Sequence, residues 1–400
     1  MQYQASRLDK IKSSPSMAVS QAAKKMISEG IDVVDLSLGE PDFKTPDNII
    51  SAAISAMRND YICYTGPNGI PKLREAIVDK LKTDNQLDYH ADEITVANGA
   101  KQIIYSALMA TLEPDDEVVI LAPYFVSYPD MVLLHGGKPI IVPCAAENNF
   151  VPTREALKSA MNERTRWVII NTPSNPSGAI MTFDELRMIG EIVKDYPRAM
   201  VMSDEIYEKI CFDDSTFVSF GQACPELKDR SLIINGVSKS YAMTGWRIGY
   251  AAGPKGMMSV MNKLQSQSTT SPCYISQIAS IEALSGDQSF VDKCRARYQS
   301  RRNLILEGLK QIPELKAFVP AGAFYIFADC AELIGKVTPQ GTTLENDTEV
   351  ATYLLQQGKV ASVPGTAYGL ESYIRFSFAT SEELLNQALA NLITAINLLK

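Results

Sequence analysis

Lys239 is the residue whose position offers the clearest chemistry, because it follows the end of a strand-like run. The apolar pair Ile233-Ile234 leads into Asn235-Gly236, and Lys239 then lies among small residues, eight positions before Arg247. A lysine at a glycine-rich bend near a second cation is partly desolvated, and both effects lower its pKa and favour the neutral amine. Such an amine forms Schiff bases. An ordinary surface loop is the alternative, because lysines are rarely buried.

Asp204 is a second candidate, because it directly follows the apolar run 199–202. This position predicts a partly buried carboxylate, which needs a cationic or hydrogen-bonding partner. A solvated acid at the end of a strand is the alternative. The choice between the two depends on the other motifs.

Two further turns follow predicted strands. Asn98-Gly99-Ala100-Lys101 opens a predicted helix, so its backbone N–H groups and the helix dipole are suited to a phosphate, although a simple helix cap looks the same. The loop 171–178 carries two prolines and a glycine, which predicts an irregular path that directs Asn175 inward. A plain surface turn is the alternative for this loop.

Pyridoxal phosphate is the cofactor whose chemistry uses all of these parts. It needs an amine, a carboxylate that keeps the pyridine nitrogen protonated, donors for the phenolate oxygen, a flat side chain against the ring, and donors for the phosphate. The candidates for these roles, in the same order, are Lys239, Asp204, Asn175 with Tyr207, Phe125 or Tyr124, and Arg247 with Gly99-Ala100.

Composition excludes several classes of protein. The 400 residues are 46% apolar and 21% charged, as in soluble globular proteins. The formal net charge is −8, and the densest basic pair, Arg301-Arg302, is flanked by helix-like sequence, so nucleic acid is not expected as a partner. The N-terminus lacks a signal peptide and no segment has about 18 consecutive apolar residues, so we expect a cytoplasmic protein without membrane contact.

Histidine and cysteine usage argues against metal and triad chemistry. Only two histidines are present, and neither His90 nor His135 has the neighbours that a zinc site or a Ser-His-Asp triad requires. The seven cysteines are scattered without a CxxC pair, as in reduced intracellular proteins. The chain also lacks the GxGxxG, GxxxxGK[ST] and GxSxG motifs.

Strand-like and helix-like segments alternate from residue 93 to residue 251. The predicted strands are 93–96, 117–121, 139–142, 167–170, 199–203, 231–234 and 248–251. The predicted intervening helices are 100–112, 126–135, 153–161 and 183–194. This alternation predicts an α/β fold with a mostly parallel sheet flanked by helices, which binds ligands at the carboxyl ends of its strands.

The last third of the chain has a different pattern. After residue 254 it reads as helical to about residue 309, then as short strands at 317–320, 323–327, 359–362 and 373–378, and finally as a helix over 382–399. We predict a large α/β domain over residues 46–290 and a smaller α+β domain formed by residues 1–45 and 291–400.

Five motifs, in order along nearly the whole chain, resemble the signature of class I aminotransferases, which have the fold type I pyridoxal phosphate-dependent transferase architecture. They are Gly39-Glu40-Pro41-Asp42-Phe43, Asn171-Thr172-Pro173-Ser174-Asn175-Pro176-Ser177-Gly178, Ser203-Asp204-Glu205-Ile206-Tyr207, Ser238-Lys239-Ser240-Tyr241-Ala242-Met243-Thr244-Gly245-Trp246-Arg247-Ile248-Gly249 and Tyr373-Ile374-Arg375-Phe376-Ser377.

The resemblance implies a role for each candidate residue. Lys239 is then the aldimine lysine and proton carrier, Asp204 pairs with the pyridinium, and Asn175 and Tyr207 bond the phenolate oxygen. Phosphate contacts are implied for Arg247, Ser238 and Gly99-Ala100-Lys101, ring stacking for Phe125, and a place in the substrate site for Gly39. Arg375 is implied to bind the substrate α-carboxylate through a bidentate pair of hydrogen bonds. Family members are dimers with shared active sites, which implies that Tyr64 reaches the neighbouring subunit's phosphate.

Two departures from the family pattern bear on specificity. The stacking position is Phe125, where relatives often have Trp or Tyr. The stretch 266–272 lacks the arginine that some aspartate aminotransferases use for the substrate side chain. It is similar to a prokaryotic subgroup in which a lysine at the position of Lys101 binds that carboxylate. Lys12 is expected to assist Lys101, and in relatives a basic residue near this position accompanies activity on prephenate.

The resemblance therefore implies a homodimeric aminotransferase that uses L-aspartate or L-glutamate, a 2-oxo acid and pyridoxal 5'-phosphate. Aromatic, alkyl or prephenate specificity and a carbon–sulfur lyase activity are alternatives on the same fold. A non-catalytic pyridoxal phosphate-binding module is a further alternative, although regulators of that kind normally carry a basic DNA-binding extension that is not evident here. A hydrolase using Ser238 and Lys239 is disfavoured, because adjacent residues on an extended chain point to opposite sides.

Overall fold

The computed structural model describes residues 3–11 and 15–400, with the side chains of residues 15 and 16 excluded. The α-helices are α1 (Pro15–Ser28), α2 (Asp47–Asn59), α3 (Pro71–Asn85), α4 (Ala100–Thr111), α5 (Tyr128–Leu134), α6 (Arg154–Ala160), α7 (Phe183–Lys194), α8 (Phe220–Ala223), α9 (Lys255–Ser268), α10 (Tyr274–Ser285), α11 (Ser289–Leu309), α12 (Asp347–Gln356) and α13 (Glu382–Ile396). The strands are β1 (Val34–Asp35), β2 (Ile94–Ala97), β3 (Glu117–Ala122), β4 (Lys138–Pro143), β5 (Thr165–Asn171), β6 (Met200–Asp204), β7 (Ser231–Gly236), β8 (Gly249–Ala252), β9 (Lys316–Ala317), β10 (Tyr325–Asp329), β11 (Val360–Ala361), β12 (Val363–Pro364) and β13 (Tyr373–Ser377).

A seven-stranded sheet forms the centre of the fold, in the order β2-β8-β7-β6-β5-β3-β4. All neighbouring pairs are parallel except those of β8, which runs antiparallel to both β2 and β7. The predicted fold class, a mostly parallel sheet flanked by helices with a smaller α+β part, is confirmed. Strands β3, β5 and β7 are buried on both faces, which explains their continuous Val- and Ile-rich sequences.

The directions of the strands place the loops with the candidate site residues at one edge of the sheet. Strands β2, β3, β5, β6 and β7 all end at the same edge of the sheet, and the antiparallel β8 begins there. The segment between β7 and β8, which contains Lys239 and Arg247, therefore stays at that edge. If β8 ran parallel to β7, Arg247 would lie at the opposite end of the strands.

A second, antiparallel sheet has the order β12-β13-β10-β9, and the short strand β1 pairs in parallel with β11. A separate apolar cluster packs under this part of the chain, with members from residues 34–36, 206–212 and 294–399. The pairing of Val34 with Val360 joins the N-terminal segment to the C-terminal part. The domain boundaries at residues 46 and 290 remain a prediction.

The structure differs locally from the sequence predictions. The helical region predicted after residue 254 consists of three separate helices, α9, α10 and α11. Helix α12 was not predicted, although its cap has a recognisable signal: the Asn346 side chain accepts a hydrogen bond from the Glu349 N–H. No helix within the described ranges combines the length and apolar character needed to cross a membrane.

Candidate active site

A cavity of about 340 Å³ opens at the edge where the strands end. Its lining brings together the predicted site residues Gly39, Ala100, Lys101, Phe125, Asn175, Asp204, Tyr207, Ser238, Lys239, Arg247 and Arg375. Their sequence positions span more than 300 residues, so the fold, and not local sequence, creates this cluster. The cavity lining has four cationic side chains and two carboxylates, those of Asp204 and Glu40, which suits an anionic ligand.

Lys239 has a desolvated amine. Its Nζ donates a hydrogen bond to the Gly39 carbonyl at 2.6 Å. Burial, reinforced by the charges of Arg247 and Arg375, lowers the pKa of Lys239 to about 8, while Glu40 and Asp204 act in the opposite direction. At pH 7 roughly one such amine in ten is neutral, far more than for an exposed lysine. The neutral amine that the sequence predicts is therefore accessible near neutral pH.

Asp204 is buried at the end of β6. Tyr128 donates a hydrogen bond to its Oδ2 at 2.6 Å, and the Ile206 N–H donates to Oδ1 at 3.4 Å. Burial raises the pKa of Asp204, while these hydrogen bonds and the Lys239 charge oppose the rise. The carboxylate thus has the hydrogen-bonding partner that burial requires, and a cationic group in the cavity would stabilise its charged form further.

Arg375 lies in β13 with its guanidinium buried. It donates to the Asn175 side-chain oxygen at 2.9 Å and also to the Ser37 carbonyl. Its Nε has no hydrogen-bond partner among the described residues. A buried, partly unsatisfied guanidinium is expected to bind an anion, and its planar geometry matches a carboxylate.

Gly99 caps the N-terminus of α4 with φ +93°, a conformation that favours glycine. A Cβ at this position would lie 2.3 Å from a terminal nitrogen of Arg247. Gly99 does not line the cavity itself, but its lack of a side chain lets the Arg247 guanidinium approach the helix terminus. The N–H groups at the start of α4 and the cation together are suited to binding an anion.

Lys101 and Phe125 lie side by side in the cavity wall. The Lys101 amine is 4.9 Å from the centre of the Phe125 ring, and the ring packs edge-to-face against Tyr128. Partial desolvation and the Arg247 charge lower the pKa of Lys101. Ser238 is buried beside Lys239 and also lines the cavity.

Besides Gly99, the predicted residues Tyr64 and Lys12 are not part of this cluster. Tyr64 is 87% exposed and does not line the cavity, so within one subunit it does not join the other residues. Lys12 lies outside the described residues.

Several cavity residues were not among the predicted ones. Asn171 and Glu40 stand inside the quoted motifs, so their positions carried a signal without an assigned role. Asn171 donates to the Asp204 carbonyl at 2.9 Å and accepts from the Asn175 N–H at 2.8 Å, which fixes the loop after β5. Tyr325 in the cavity lining and Tyr128, which donates to Asp204 from behind it, had no sequence signal, because only tertiary structure brings them to these partners.

The loop that contains Gly39 and Asp42, here called the Gly39 loop, is fixed by a contact with helix α11. Arg301 in α11 donates two hydrogen bonds to the Asp42 carboxylate, at 2.7 and 2.8 Å, and its guanidinium carbon is 5.0 Å from the Phe43 ring centre. This bidentate contact fixes the loop whose Gly39 carbonyl accepts the hydrogen bond from Lys239.

Comparison with known proteins gives the family. The model of aminotransferase class I and II matches residues 31–392. The chain belongs to the class I and II aminotransferases. It is 48% identical over 382 residues to a probable aspartate/prephenate aminotransferase of Rickettsia felis, covering 96% of this chain and 93% of that protein. It is 46% identical over 391 residues to an aspartate aminotransferase of Rhizobium meliloti, covering 98% of this chain and 95% of that protein.

Solved structures agree with this aminotransferase family. The crystal structure of the Rhizobium meliloti aspartate aminotransferase superposes with a TM-score of 0.97 at 44% identity, with each chain covered completely. An aspartate aminotransferase of Thermus thermophilus with maleate gives a TM-score of 0.92 at 38% identity, over 99% of this chain and 100% of that chain. The predicted family and aminotransferase activity are confirmed.

The lowered pKa of Lys239 is testable in this aminotransferase after its small ligands have been removed. We expect competitive labelling of amines, read by peptide mass spectrometry, to give a midpoint near pH 8 for Lys239. A solvent-exposed lysine titrates at about 10.4. Glu40→Gln should move the midpoint lower, because it removes the charge that favours the ammonium form. A midpoint near 10 in the unmodified protein would contradict this account of the site.

Proposed function

We propose that this aminotransferase uses pyridoxal 5'-phosphate to transfer the amino group between L-aspartate or L-glutamate and a 2-oxo acid. The observation that carries the proposal is the single cavity that Lys239, Asp204, Arg247 and Arg375 share. These four side chains correspond to the four chemical demands of the reaction: an amine, a carboxylate for the ring nitrogen, a cation for the phosphate and a fork for the substrate carboxylate.

The residues present fit the cofactor. Gly99 leaves the space that the Arg247 guanidinium occupies at the start of α4, so phosphate would meet both N–H donors and a cation. Asp204, held by Tyr128, is the buried carboxylate in the cavity that can pair with a protonated ring nitrogen. Phe125 offers a flat face, and Asn175 and Tyr207 offer donors for the ring oxygen.

When bound, the cofactor supplies an electron-accepting ring that stabilises negative charge at the substrate Cα. The residues of the chain supply the rest. Lys239 would hold the cofactor through its amine and, once displaced by substrate, take the proton from Cα, for which its lowered pKa is suited. Asp204 would keep the ring nitrogen protonated. Burial raises the pKa of Tyr207 well above its usual value, so this hydroxyl stays neutral and acts as a hydrogen-bond donor.

The substrate α-carboxylate would lie against Arg375. That guanidinium is buried, has an unpartnered Nε, and is oriented by Asn175 and the Ser37 carbonyl, so little reorganisation is needed on binding. Gly39 borders the same space, and a Cβ there would lie 2.6 Å from the Tyr325 hydroxyl. Glycine at position 39 therefore leaves room for the Tyr325 hydroxyl in the cavity wall.

The preference for a second carboxylate rests on Lys101. Its amine lines the cavity above Phe125 and adds a positive charge apart from Arg375. A Thermus thermophilus relative was crystallised with maleate, a dicarboxylate, and close relatives bear aspartate in their names. Prephenate also appears in the names of relatives, and it carries two carboxylates as well.

The first test is spectroscopic. The purified protein with pyridoxal 5'-phosphate should show an absorption band that disappears when L-aspartate is added, because the cofactor becomes aminated. Lys239→Ala should lose the band and multiple-turnover activity, by a factor of about a thousand or more. Lys263→Ala, at an exposed lysine outside the cavity, is the matched control and should behave as wild type. Full turnover in Lys239→Ala would overturn the proposal.

The second test addresses specificity. Lys101→Ala should lower kcat/KM for aspartate roughly 10- to 100-fold, because a charge-assisted hydrogen bond contributes about 1.5–3 kcal/mol. The values for alanine and phenylalanine, which lack the second carboxylate, should change much less. Lys101→Arg preserves the charge and should restore part of the aspartate activity. An unchanged aspartate preference in Lys101→Ala would contradict the proposed role of this residue. Faster turnover of prephenate than of other 2-oxo acids would favour prephenate as the substrate.

The proposed oligomer is a homodimer with shared active sites. Three large side chains near Tyr64 are exposed together with it, Tyr61 at 89%, Met57 at 51% and Ile62 at 46%, and an apolar surface of this kind is typical of an interface. Tyr64 would then reach the phosphate of the neighbouring subunit. Partners other than small-molecule amino acids and 2-oxo acids are not proposed, and the proposed location is the cytoplasm.

Subunit mixing tests this arrangement. Lys239→Ala should be inactive, and Tyr64→Ala should bind the cofactor weakly because its phosphate loses a donor. In a mixed dimer, one of the two sites combines the intact Lys239 of one chain with the intact Tyr64 of the other, so mixing the two variants should restore up to roughly a quarter of the wild-type activity. Mixing without any gain in activity would contradict a Tyr64 contribution across the interface.

A further inference from the structure

Tyr325 is a buried tyrosine that contacts several residues of the proposed site. Its hydroxyl lies 2.8 Å from the Tyr207 hydroxyl, and its ring centre is 4.5 Å from the guanidinium carbon of Arg375. The same hydroxyl blocks the position of a Cβ on Gly39. Tyr325 is 1% exposed. The Tyr325 side chain thus contacts Tyr207, Arg375 and Gly39. These are the residues proposed to bind the cofactor ring oxygen and the substrate carboxylate, and the residue whose carbonyl accepts from Lys239.

The second sheet explains this placement. In the antiparallel pair β10 and β13, Phe327 lies opposite Arg375 and Tyr325 lies opposite Ser377. Residues two apart on a strand point to the same face, so Tyr325 and Arg375 are diagonal neighbours on one face of the sheet. The register of the two strands therefore fixes the contact between ring and guanidinium.

We propose that Tyr325 is a positioning residue of the transamination site, which orients the Tyr207 hydroxyl towards the bound cofactor and supports the Arg375 guanidinium. The inference rests on the proposed function, because the cofactor and the substrate carboxylate are the groups that Tyr207 and Arg375 would contact. Tyr325 acts through these two residues and performs no chemical step.

Either hydroxyl can donate in this pair, and the need for a proton on Tyr207 that faces the cofactor assigns Tyr325 as the donor. Only one proton can lie between two hydroxyl oxygens. Apart from Tyr207, the Tyr325 hydroxyl has no hydrogen-bond partner within the described part of the chain. If Tyr207 donated to Tyr325, the Tyr325 proton would lack an acceptor and Tyr207 would have no proton left for a ligand. With Tyr325 as the donor, the Tyr207 proton is free to point into the cavity.

The charge of Arg375 also favours Tyr325 as the donor in the hydrogen bond to Tyr207. A cation against the face of the Tyr325 ring stabilises negative charge on that phenol and so makes its O–H the better donor. Burial raises the pKa of Tyr325, while the charge of Arg375 opposes the rise. A hydroxyl that accepts one hydrogen bond donates a stronger one, so Tyr325 strengthens the bond from Tyr207 to the ring oxygen of the cofactor.

Two variants of the cofactor-loaded enzyme separate the two contacts. Tyr325→Phe removes the hydroxyl and keeps the ring against Arg375, whereas Tyr325→Leu removes both. Tyr353→Phe is the matched control, because it deletes another buried tyrosine hydroxyl, which donates to the Ala395 carbonyl away from the cavity. The two readouts are the pH midpoint of the absorption band of the bound cofactor and the separate kcat and KM values for aspartate.

We expect Tyr325→Phe to raise the pH midpoint by about 0.7–1 unit, which is a five- to tenfold change in the protonation equilibrium. A donor to the ring oxygen favours its anionic form, so weakening that donor lets the bound cofactor take up a proton at higher pH. KM for aspartate should stay within about twofold of wild type in this variant. Tyr325→Leu should show the same shift together with a KM raised about tenfold, and Tyr353→Phe should change neither value.

Three results would count against the inference. An unchanged midpoint in Tyr325→Phe would overturn the role in orienting Tyr207, and equal KM values in the Phe and Leu variants would overturn the support of Arg375. Equal changes in Tyr353→Phe would show a general packing effect and would overturn the inference too. A wild-type enzyme without any pH-dependent cofactor band would instead overturn the proposed function, and the inference with it.

Discussion

The desolvation of one amine beside a buried carboxylate is the constraint on which the rest of this structure depends. Asp204 is the last residue of β6, Lys239 follows the neighbouring strand β7, and both line one cavity. Neither charge is well solvated there, which lowers the pKa of the lysine and raises that of the acid. A ligand that bonds to the amine and presents a cationic nitrogen to the carboxylate relieves both costs. The site is therefore electrostatically prepared for such a heterocycle.

The two parts of the fold divide the work. The parallel sheet supplies the proposed cofactor-binding groups, because its strands end at one edge and the antiparallel β8 returns Arg247 to that edge. The second sheet supplies Arg375 and Tyr325 from paired strands. The Gly39 loop joins the two parts through the Lys239 hydrogen bond on one side and the Arg301–Asp42 pair on the other. The proposed substrate-binding and catalytic groups therefore share contacts but come from different sheets.

The sequence predicted residues that stand at or shortly after strand ends, because a run of apolar residues indicates a buried strand and draws attention to the polar residues that come after it. Asp204 and Lys239 are of this kind. Arg375 lies inside a strand and was predicted only through the family resemblance. Tyr128 and Tyr325 were missed, since a tyrosine in an apolar context is typical of any core, and its hydrogen-bond partners lie 76 and 118 residues away along the chain. Strand register and helix placement, which the sequence leaves open, decide such contacts.

The most direct measurement of the central claim is the site of covalent attachment of the cofactor. Borohydride reduction of the cofactor-loaded enzyme converts a bond between lysine and pyridoxal phosphate into a stable secondary amine, which peptide mass spectrometry can locate. The account predicts a single modified peptide with the added mass on Lys239, and loss of that mass when L-aspartate is added before reduction. Modification of another lysine, such as Lys101, or no modification at all, would contradict the account.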